Sequence, residues 1–261
     1  MHHFIFLPVF NPKRVHINNR RDMKSQRVLT IAIAILSISA CSQAQLRPNV
    51  RGNGNVITKE RKTDSFTGIR VSSAIDLYLK QGDNESMSVE ADENLHEYII
   101  TEVRGGILHV YADANIRDAE RRRVYVTMKE VNSVKTTSAG DVVGQTPVKT
   151  DRLELSASSA GDIKLEVYAR EIDLDISSSG DITLTGEVEK LNGDLSSAGN
   201  LNAFDLLVRE ADLSASSAGD ADINVADRMR ARASSAGDIN YMGNPKYVDA
   251  HSSSAGSIRK R

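Results

Sequence analysis

The chain of 261 residues is poor in cysteine and aromatic side chains, with one Cys, no Trp and 5% Phe, Trp and Tyr combined. A single Cys excludes an intramolecular disulfide, and it excludes a metal site built from several cysteines. The three histidines that follow Cys41 are far apart and lack metal-ligand spacing: His96, His109 and His251. We therefore interpret them as surface or strand residues, and we predict no metal, no cofactor and no catalytic residues.

An excess of positive charge is also absent. Six of the 33 basic residues and one of the 35 acidic residues precede position 41, so 27 basic and 34 acidic residues remain from there on. Nucleic-acid binding needs a basic face that neutralises phosphates, and an acidic body with scattered Lys and Arg provides none. We exclude nucleic acid as a partner.

No hydrophobic run reaches the roughly 20 residues that a membrane-spanning helix needs. An apolar run over residues 28–38 follows the basic stretch 23–27, and this order is typical of a secretory signal peptide. We interpret residues 23–40 as a lipoprotein signal peptide. Residues 1–22 are interpreted as an upstream extension from a wrongly assigned start codon.

The end of this signal, Ile38-Ser39-Ala40-Cys41, resembles a bacterial lipobox. Such a motif makes Cys41 the lipidated N-terminus of the mature protein, and acyl chains there contribute about 0.8 kcal/mol per buried methylene. Because Ser42 is not acidic, we predict anchoring to the outer membrane by Cys41, with the leaflet left open, and a polar tether over residues 41–53. The alternatives are a non-lipidated signal cleaved after Ala40 or Ala44, or a buried free Cys.

The rest of the chain is dominated by an internal repeat of Ser-Ala-Gly-Asp and near variants. The repeat glycines lie 18 to 21 residues apart, at Gly140, Gly161, Gly180, Gly199, Gly219, Gly237 and Gly256. The following residue is acidic in five repeats and Asn200 or Ser257 in the other two, the acidic ones being Asp141, Asp162, Asp181, Asp220 and Asp238. Apolar residues alternate with polar ones around each glycine, which indicates strands.

A unit of about 19 residues cannot bury its apolar face alone, so it must stack on copies of itself. We predict an all-β fold, a right-handed parallel β-helix over residues 131–261, with an N-terminal β-rich part including a first coil over residues 54–130. Equivalent residues of successive coils then lie about 4.8 Å apart.

Aligning the repeats on the glycines predicts which residues share a column. The columns six before and two after each glycine are mainly aliphatic, as from Val134 to Ala250 and from Val142 to Ile258. The column two before each glycine is entirely Ser, from Ser138 to Ser254, and strand parity predicts that it points inward. We predict that the glycines supply a positive φ at the corner.

The segment 66–79 matches 131–143 in spacing, so we place the first coil 65 residues upstream of the second. Between them we predict strands over 86–91, 98–103, 107–112 and 124–128, which would cover the N-terminal edge of the β-helix. The charge run 118–123 is interpreted as a solvated loop. The alternative is a binding site for anionic polysaccharide on Arg117, Arg121, Arg122 and Arg123.

Residues 52–56, 66–79 and 89–95, together with the repeated Ser-Ala-Gly-Asp, resemble the bacterial family described as putative auto-transporter adhesin, head GIN domain. The resemblance extends from Gly52 to Ile258. It implies an exported, lipoprotein-like β-helix and brings no catalytic residues with it.

We predict a non-enzymatic cell-envelope lipoprotein that acts as an adhesin-like interaction module or scaffold, with a glycan or protein at the cell surface as its partner. The alternative is a β-helix lyase or hydrolase acting on polysaccharide, but coils this short leave no loop to wall a cleft. Aromatics after residue 130 are also scattered: Tyr168, Phe204, Tyr241 and Tyr247. The oligomeric state stays open, with a monomer favoured.

The column after each glycine would place like charges about 4.8 Å apart, so neighbours would repel by about 1 kcal/mol in bulk water. Hydrogen bonds from corner N–H groups and Ser hydroxyls are one way to offset this repulsion. A row of Ca²⁺ ions is the other, because Ca²⁺ takes six to eight oxygen ligands. We favour hydrogen bonds, since each coil supplies one side chain.

Overall fold

The computed structural model describes residues 47–261. The predicted upstream extension, the signal peptide and Cys41 lie outside these residues. The described chain forms nineteen strands, β1 to β19 in chain order: Asn49–Arg51, Val56–Glu60, Gly68–Val71, Asp76–Gln81, Ser86–Asp92, Ile99–Arg104, Ile107–Ala112, Asn115–Asp118, Arg122–Met128, Ser133–Thr136, Asp141–Gly144, Val148–Ser158, Asp162–Ser177, Asp181–Leu195, Asn200–Ala215, Asp220–Ala233, Asp238–Met242, Tyr247–Ser252 and Ser257–Lys260. One 3₁₀ turn, Glu93–Leu95, lies between β5 and β6.

The strands from β10 onward form a parallel β-solenoid, which confirms the predicted all-β fold. It has about 7 turns of about 19 residues each. The long strands β12 to β16 pair in parallel with the next coil along most of their length. Each coil has a segment after its repeat glycine and a segment before the next glycine.

The predicted aliphatic columns are confirmed, because the paired residues follow the sequence alignment. Val134 pairs with Leu155, and this column continues through Leu174, Gly193 and Leu213 to Ala231 and Ala250. Its members are buried as far as Ala231. Column members of different size complement each other, since a Cβ at Gly193 would lie 2.5 Å from Cδ1 of Leu174 and 2.9 Å from Cδ2 of Leu213.

The corner of each coil differs from the prediction in two respects. The Ser column points outward, because all seven of its members are exposed. The left-handed residues are these serines and the residue after them, such as Ser178 (φ 52°) and Ser179 (φ 59°), whereas the repeat glycines have no positive φ. Two successive left-handed residues turn the chain between strands. The alternation of inward and outward side chains that holds within a strand therefore does not continue through the turn.

The repeat glycines are required by close backbone approach instead. A Cβ at Gly180 would lie 2.5 Å from the carbonyl carbon and oxygen of Ala157 in the preceding coil, closer than real Cβ contacts occur. The turn is closed by the N–H of Gly180, which donates to the carbonyl of Ser177 at 3.0 Å. It is joined to the next coil by the N–H of Ser179, which donates to the carbonyl of Ser197 at 3.1 Å. These bonds offset the cost of left-handed Ser and Ala residues.

The N-terminal part adds a coil out of chain order. β3 and β4 pair in parallel with β10 and β11, with Ile69 opposite Val134. On their other side lie β7 and β9, which come later in the chain. Antiparallel strands then cover this end, β6 on β7, β5 on β9, and β2 on β5.

The Asp92 carboxylate connects two segments of this N-terminal part by hydrogen bonds. The side chain is 1% exposed. Its Oδ1 accepts a hydrogen bond from the N–H of Gly54 at 2.6 Å, and its Oδ2 accepts from the N–H groups of Glu120 and Arg121 at 2.9 and 3.3 Å. Burial raises the pKa of Asp92, but the backbone N–H groups outweigh this and lower the pKa overall.

Candidate interaction surface

The acidic residues of the repeat form one straight row on the outside of the β-helix. The pairing places Asp76, Asp141, Asp162, Asp181, Asn200, Asp220 and Asp238 in consecutive strands, with Arg123 at one end and Ser257 at the other. We call this row and the outward residues beside it the acidic face. Strand pairing alone fixes this arrangement, because parallel strands in register align equivalent side chains at about 4.8 Å.

Burial and repulsion between neighbouring carboxylates raise the pKa of three members of the row. Burial raises the pKa of Asp141, and the charges of Asp162 and Asp76 raise it further, against a smaller opposing effect of the Asp162 N–H. The pKa of Asp162 is raised by burial and by Asp181, and that of Asp220 by burial and by Asp238. Keeping these carboxylates charged in the folded state therefore reduces the free energy of unfolding.

Amide side chains relieve part of this repulsion. The Nδ2 of Asn200 donates to Oδ1 of Asp181 at 2.7 Å, and in the neighbouring row the Nδ2 of Asn240 donates to Oδ1 of Asp222 at 2.9 Å. In the described part of the chain, none of the row's carboxylates forms a salt bridge. The row is thus partly hydrogen-bonded and not charge-paired.

Across residues 47–261, no group of three or more His, Cys, Asp or Glu side chains is arranged to hold a metal ion. Each coil contributes one side chain to the row, an amide at Asn200, and Asp222 of the neighbouring row lies beside Asp220. Six to eight oxygen ligands, as Ca²⁺ takes, are therefore not supplied by this row.

The segment before each repeat glycine carries charges of both signs that pair with each other, unlike the row of aspartates. We call the outer side of this segment the ion-paired face. Charges alternate strictly along one row, Arg152, Glu171, Lys190, Glu210 and Arg228. Ion pairs join coils here, as between Arg152 and Asp173 at 2.7 Å and between Lys190 and Glu171 at 3.2 Å. We did not predict this face, although spacings of 18 to 20 residues between these charges are a signal for it.

Two adjoining hollows form a groove on the ion-paired face, and we call it the charged groove. The hollow nearer the C-terminus has a volume of about 640 Å³ and contains Tyr247, Arg228 and Arg230. The other has about 400 Å³ and is lined by charged residues alone. Lys190 and Glu210 line both, so the two hollows adjoin at these side chains.

The arginines of the charge run are divided among different contacts. The Cζ atom of Arg123 lies 5.7 Å from the ring centroid of Tyr78, and its Nη1 lies 3.9 Å from Oε2 of Glu90. Arg121 donates to the carbonyl of Glu120 at 2.7 Å, and Arg117 donates to Oδ1 of Asn49 at 3.3 Å. Arg122 belongs to strand β9. The predicted loop is thus limited to residues 119–121.

Two histidines fit the prediction and one does not. His109 lies in strand β7 and His251 is exposed. His96 is 7% exposed and follows the 3₁₀ turn, with its Nε2 3.1 Å from the carbonyl oxygen of Ile57, so it is neither a surface nor a strand residue. Burial lowers its pKa, which keeps it neutral.

Within residues 47–261, none of the helical structure is long and apolar enough to cross a membrane. Cys41, the predicted lipidation site, precedes the described residues.

Solved structures of bacterial proteins share this fold. A putative adhesin from Bacteroides fragilis is 19% identical, with a TM-score of 0.77 over 81% of this chain and 100% of that one. A putative lipid binding protein from Parabacteroides distasonis is 26% identical, with a TM-score of 0.66 over 82% and 99%. A putative adhesin from Parabacteroides merdae is 22% identical, with a TM-score of 0.66 over 82% and 99%.

A search of curated proteins found no match. The sequence profile of one family, described as putative auto-transporter adhesin, head GIN domain, matches residues 65–245. This range covers the first coil, the N-terminal strands from β3 onward and the repeats as far as β17. The chain therefore belongs to the putative auto-transporter adhesin, head GIN domain family.

Proposed function

We propose that the protein is an exported, non-enzymatic lipoprotein whose β-helix serves as an adhesin-like interaction module or scaffold at the cell envelope. The observation that carries this proposal is the form of its surface: long rows of side chains in register on the outside of short coils. Such rows suit contact with an extended partner. Family membership and the adhesin descriptions of related structures point the same way.

The alternative of a polysaccharide lyase or hydrolase lacks a comparable observation. Catalysis by general acid and base needs two groups held within reach of one substrate bond, in a site that excludes water. The repeat coils of the described chain consist of strands and tight corners, with little chain left over to wall a cleft. We therefore assign binding without turnover.

Attachment to the outer membrane through Cys41 is the second part of the proposal. Several acyl chains on one residue give stable anchoring, because each buried methylene contributes about 0.8 kcal/mol. One solved relative is described as a putative lipid binding protein. In this chain the interior columns are filled by side chains such as Leu155, Ile163 and Ile172, which are 0–1% exposed, so we place lipid at Cys41 and not inside the β-helix.

Metabolic labelling tests the anchor. Cells given an alkyne palmitate should label the wild-type protein and leave Cys41→Ala unlabelled. Ser42→Ala is the matched control and should label like wild type. Equal labelling of wild type and Cys41→Ala would refute the anchor without bearing on the binding function.

Retention on cells tests the interaction. Detergent-purified full-length protein, mixed with intact bacteria that lack the gene and with extracellular matrix, should sediment with at least one of them in a saturable manner. Light scattering should show a monomer or weak oligomer, so that retention is not caused by aggregation. Failure to bind either material saturably would refute the interaction module, and a stable dimer or trimer would refute the monomer.

A further inference from the structure

The charged groove is balanced in charge although charged side chains make up most of its lining. Six basic and six acidic side chains line the two hollows together. Arg230 illustrates how they are used: its Nη1 lies 3.1 Å from Oδ2 of Asp212, and its Nε lies 3.5 Å from Oδ2 of Asp249. A polyanion or polycation gains no net attraction from such a surface.

An aromatic ring stands at one end of the groove. Tyr247 is 67% exposed, more than the other large apolar or aromatic side chains on the described surface. The guanidinium carbon of Arg228 lies 5.5 Å from its ring centroid, so the ring is held by a cation–π contact. The ring is therefore oriented while most of its surface stays in contact with solvent.

The groove is also elongated along the axis of the β-helix. It crosses five consecutive strands, from Glu171 in β13 through Lys190, Glu210 and Arg228 to Tyr247 in β18. Four steps of about 4.8 Å give a length of roughly 19 Å along the axis. Donors and acceptors repeat at each step.

We propose that the charged groove binds a linear, neutral glycan, with one sugar ring against Tyr247 and hydroxyl groups on the ion-paired residues beside it. The C–H face of a sugar ring packs on an aromatic ring, which supplies apolar area with a polar rim. Hydroxyls both donate and accept, so they match Arg and Asp side chains without disturbing their charge balance. An extended peptide is less suited, because the hollow of about 400 Å³ is lined by charged side chains alone and the apolar lining is confined to the hollow that contains Tyr247.

This inference rests on the proposed interaction function and names its ligand class. The test is titration calorimetry of the full-length protein in detergent with cellohexaose, maltohexaose, mannohexaose and xylohexaose. At least one should bind with a Kd below about 1 mM. Raising NaCl from about 50 to 500 mM should change that Kd less than twofold, because the ligand carries no charge.

Variants locate the site. Tyr247→Ala should weaken binding at least tenfold, and Tyr247→Phe should restore it to within about threefold, since the ring is kept. Tyr168→Ala is the matched control, because Tyr168 is also an exposed tyrosine, 42% exposed, but lies outside the groove, and it should bind like wild type. Unchanged melting temperatures establish that the variants are folded.

Three outcomes would overturn the inference. These are no binding of any neutral hexasaccharide, binding only of heparin or polylysine, and binding that Tyr247→Ala leaves unchanged. If saturable retention on cells or matrix persists in any of these cases, the interaction function stands and only the ligand assignment fails. If that retention is absent as well, both fail.

Discussion

Asn200 donates a hydrogen bond from Nδ2 to Oδ1 of Asp181 at 2.7 Å, one coil away, at the position where the row of aspartates is interrupted. An amide in this row replaces a repelling charge with a donor. The same change should therefore stabilise the β-helix at a position flanked by two acids. Asp141 is such a position, since it lies between Asp76 and Asp162.

We predict that Asp141→Asn raises the melting temperature at pH 7 by roughly 2–4 °C, which corresponds to about 1 kcal/mol for a domain of this size. Burial, Asp162 and Asp76 raise the pKa of Asp141 in the folded state above its unfolded value. Stability from protonated Asp141 is thus fully present below the unfolded pKa and lost as pH rises through the folded pKa. The difference between variant and wild type should accordingly disappear near pH 3.

Thermal melting monitored by circular dichroism between pH 3 and pH 7 measures this difference. Asp83→Asn, at an exposed position between β4 and β5 outside the row, is the control and should change little at either pH. A destabilised Asp141→Asn at pH 7 would show that the row's repulsion is already compensated.

Substitutions at Gly180 distinguish two reasons for a repeat glycine, close approach to the neighbouring backbone and a positive φ. Because any Cβ there would lie 2.5 Å from the carbonyl group of Ala157, both Gly180→Val and Gly180→Asn should destabilise the fold by more than about 3 kcal/mol. Asn tolerates positive φ, so a requirement for φ would let it substitute. Ser178→Gly, at a residue with a φ of 52°, should be neutral or stabilising by up to about 1 kcal/mol. Urea unfolding measures all three, and a stable Gly180→Asn would contradict the steric explanation.

Sequence reasoning predicted the stacking but not the corners. Aligning the repeats on their glycines predicted the columns from Val134 to Ala250 and from Val142 to Ile258, because side chains that keep their position relative to the motif pair in parallel register. The serines were placed inward because period-two alternation was carried through the turn, where two left-handed residues end it. The order of coils in the N-terminal part, with β7 and β9 beneath β3 and β4, has no signal in the repeat, because those strands lack the motif.

The acidic face was predicted from the repeat, whereas the charged groove was missed although the same alignment contains it. The repeat predicted the row of aspartates from Asp141 to Asp238, since one residue per coil determines it. The groove was not predicted, although Asp212, Arg230 and Asp249 share one column and pair in register. Arg228 and Tyr247 share a second column two residues earlier in each coil, so the aligned repeats contain these neighbours as well.

Asp92 should be important for the N-terminal part. Asp92→Ala removes the acceptor for the N–H groups of Gly54, Glu120 and Arg121 and breaks three part-buried hydrogen bonds, which should cost about 1–3 kcal/mol. The backbone N–H groups lower the pKa of Asp92 against the effect of burial. Its contribution is therefore present above the unfolded pKa and lost as pH falls through the folded pKa. Hydrogen exchange of residues 52–60 measures the loss, with exposed Asp113→Ala as control; unchanged protection would contradict this role.

Calcium should have little effect on stability. One carboxylate per coil supplies too few oxygen ligands, so the melting temperature near pH 7 should differ by less than a few degrees between excess chelator and millimolar Ca²⁺. Calorimetric scans measure this. A large stabilisation that Asp162→Asn and Asp181→Asn abolish would establish a metal row instead.

Binding and turnover measured in the same sample distinguish a binding module from an enzyme. Full-length protein in detergent is incubated with insoluble cellulose and mannan and with polygalacturonate; sedimentation gives the bound fraction, and mass spectrometry of the supernatant detects new reducing ends or unsaturated uronates. We expect saturable sedimentation with a neutral polysaccharide and no products. Products that accumulate in proportion to protein and time would contradict a binding module and establish an enzyme.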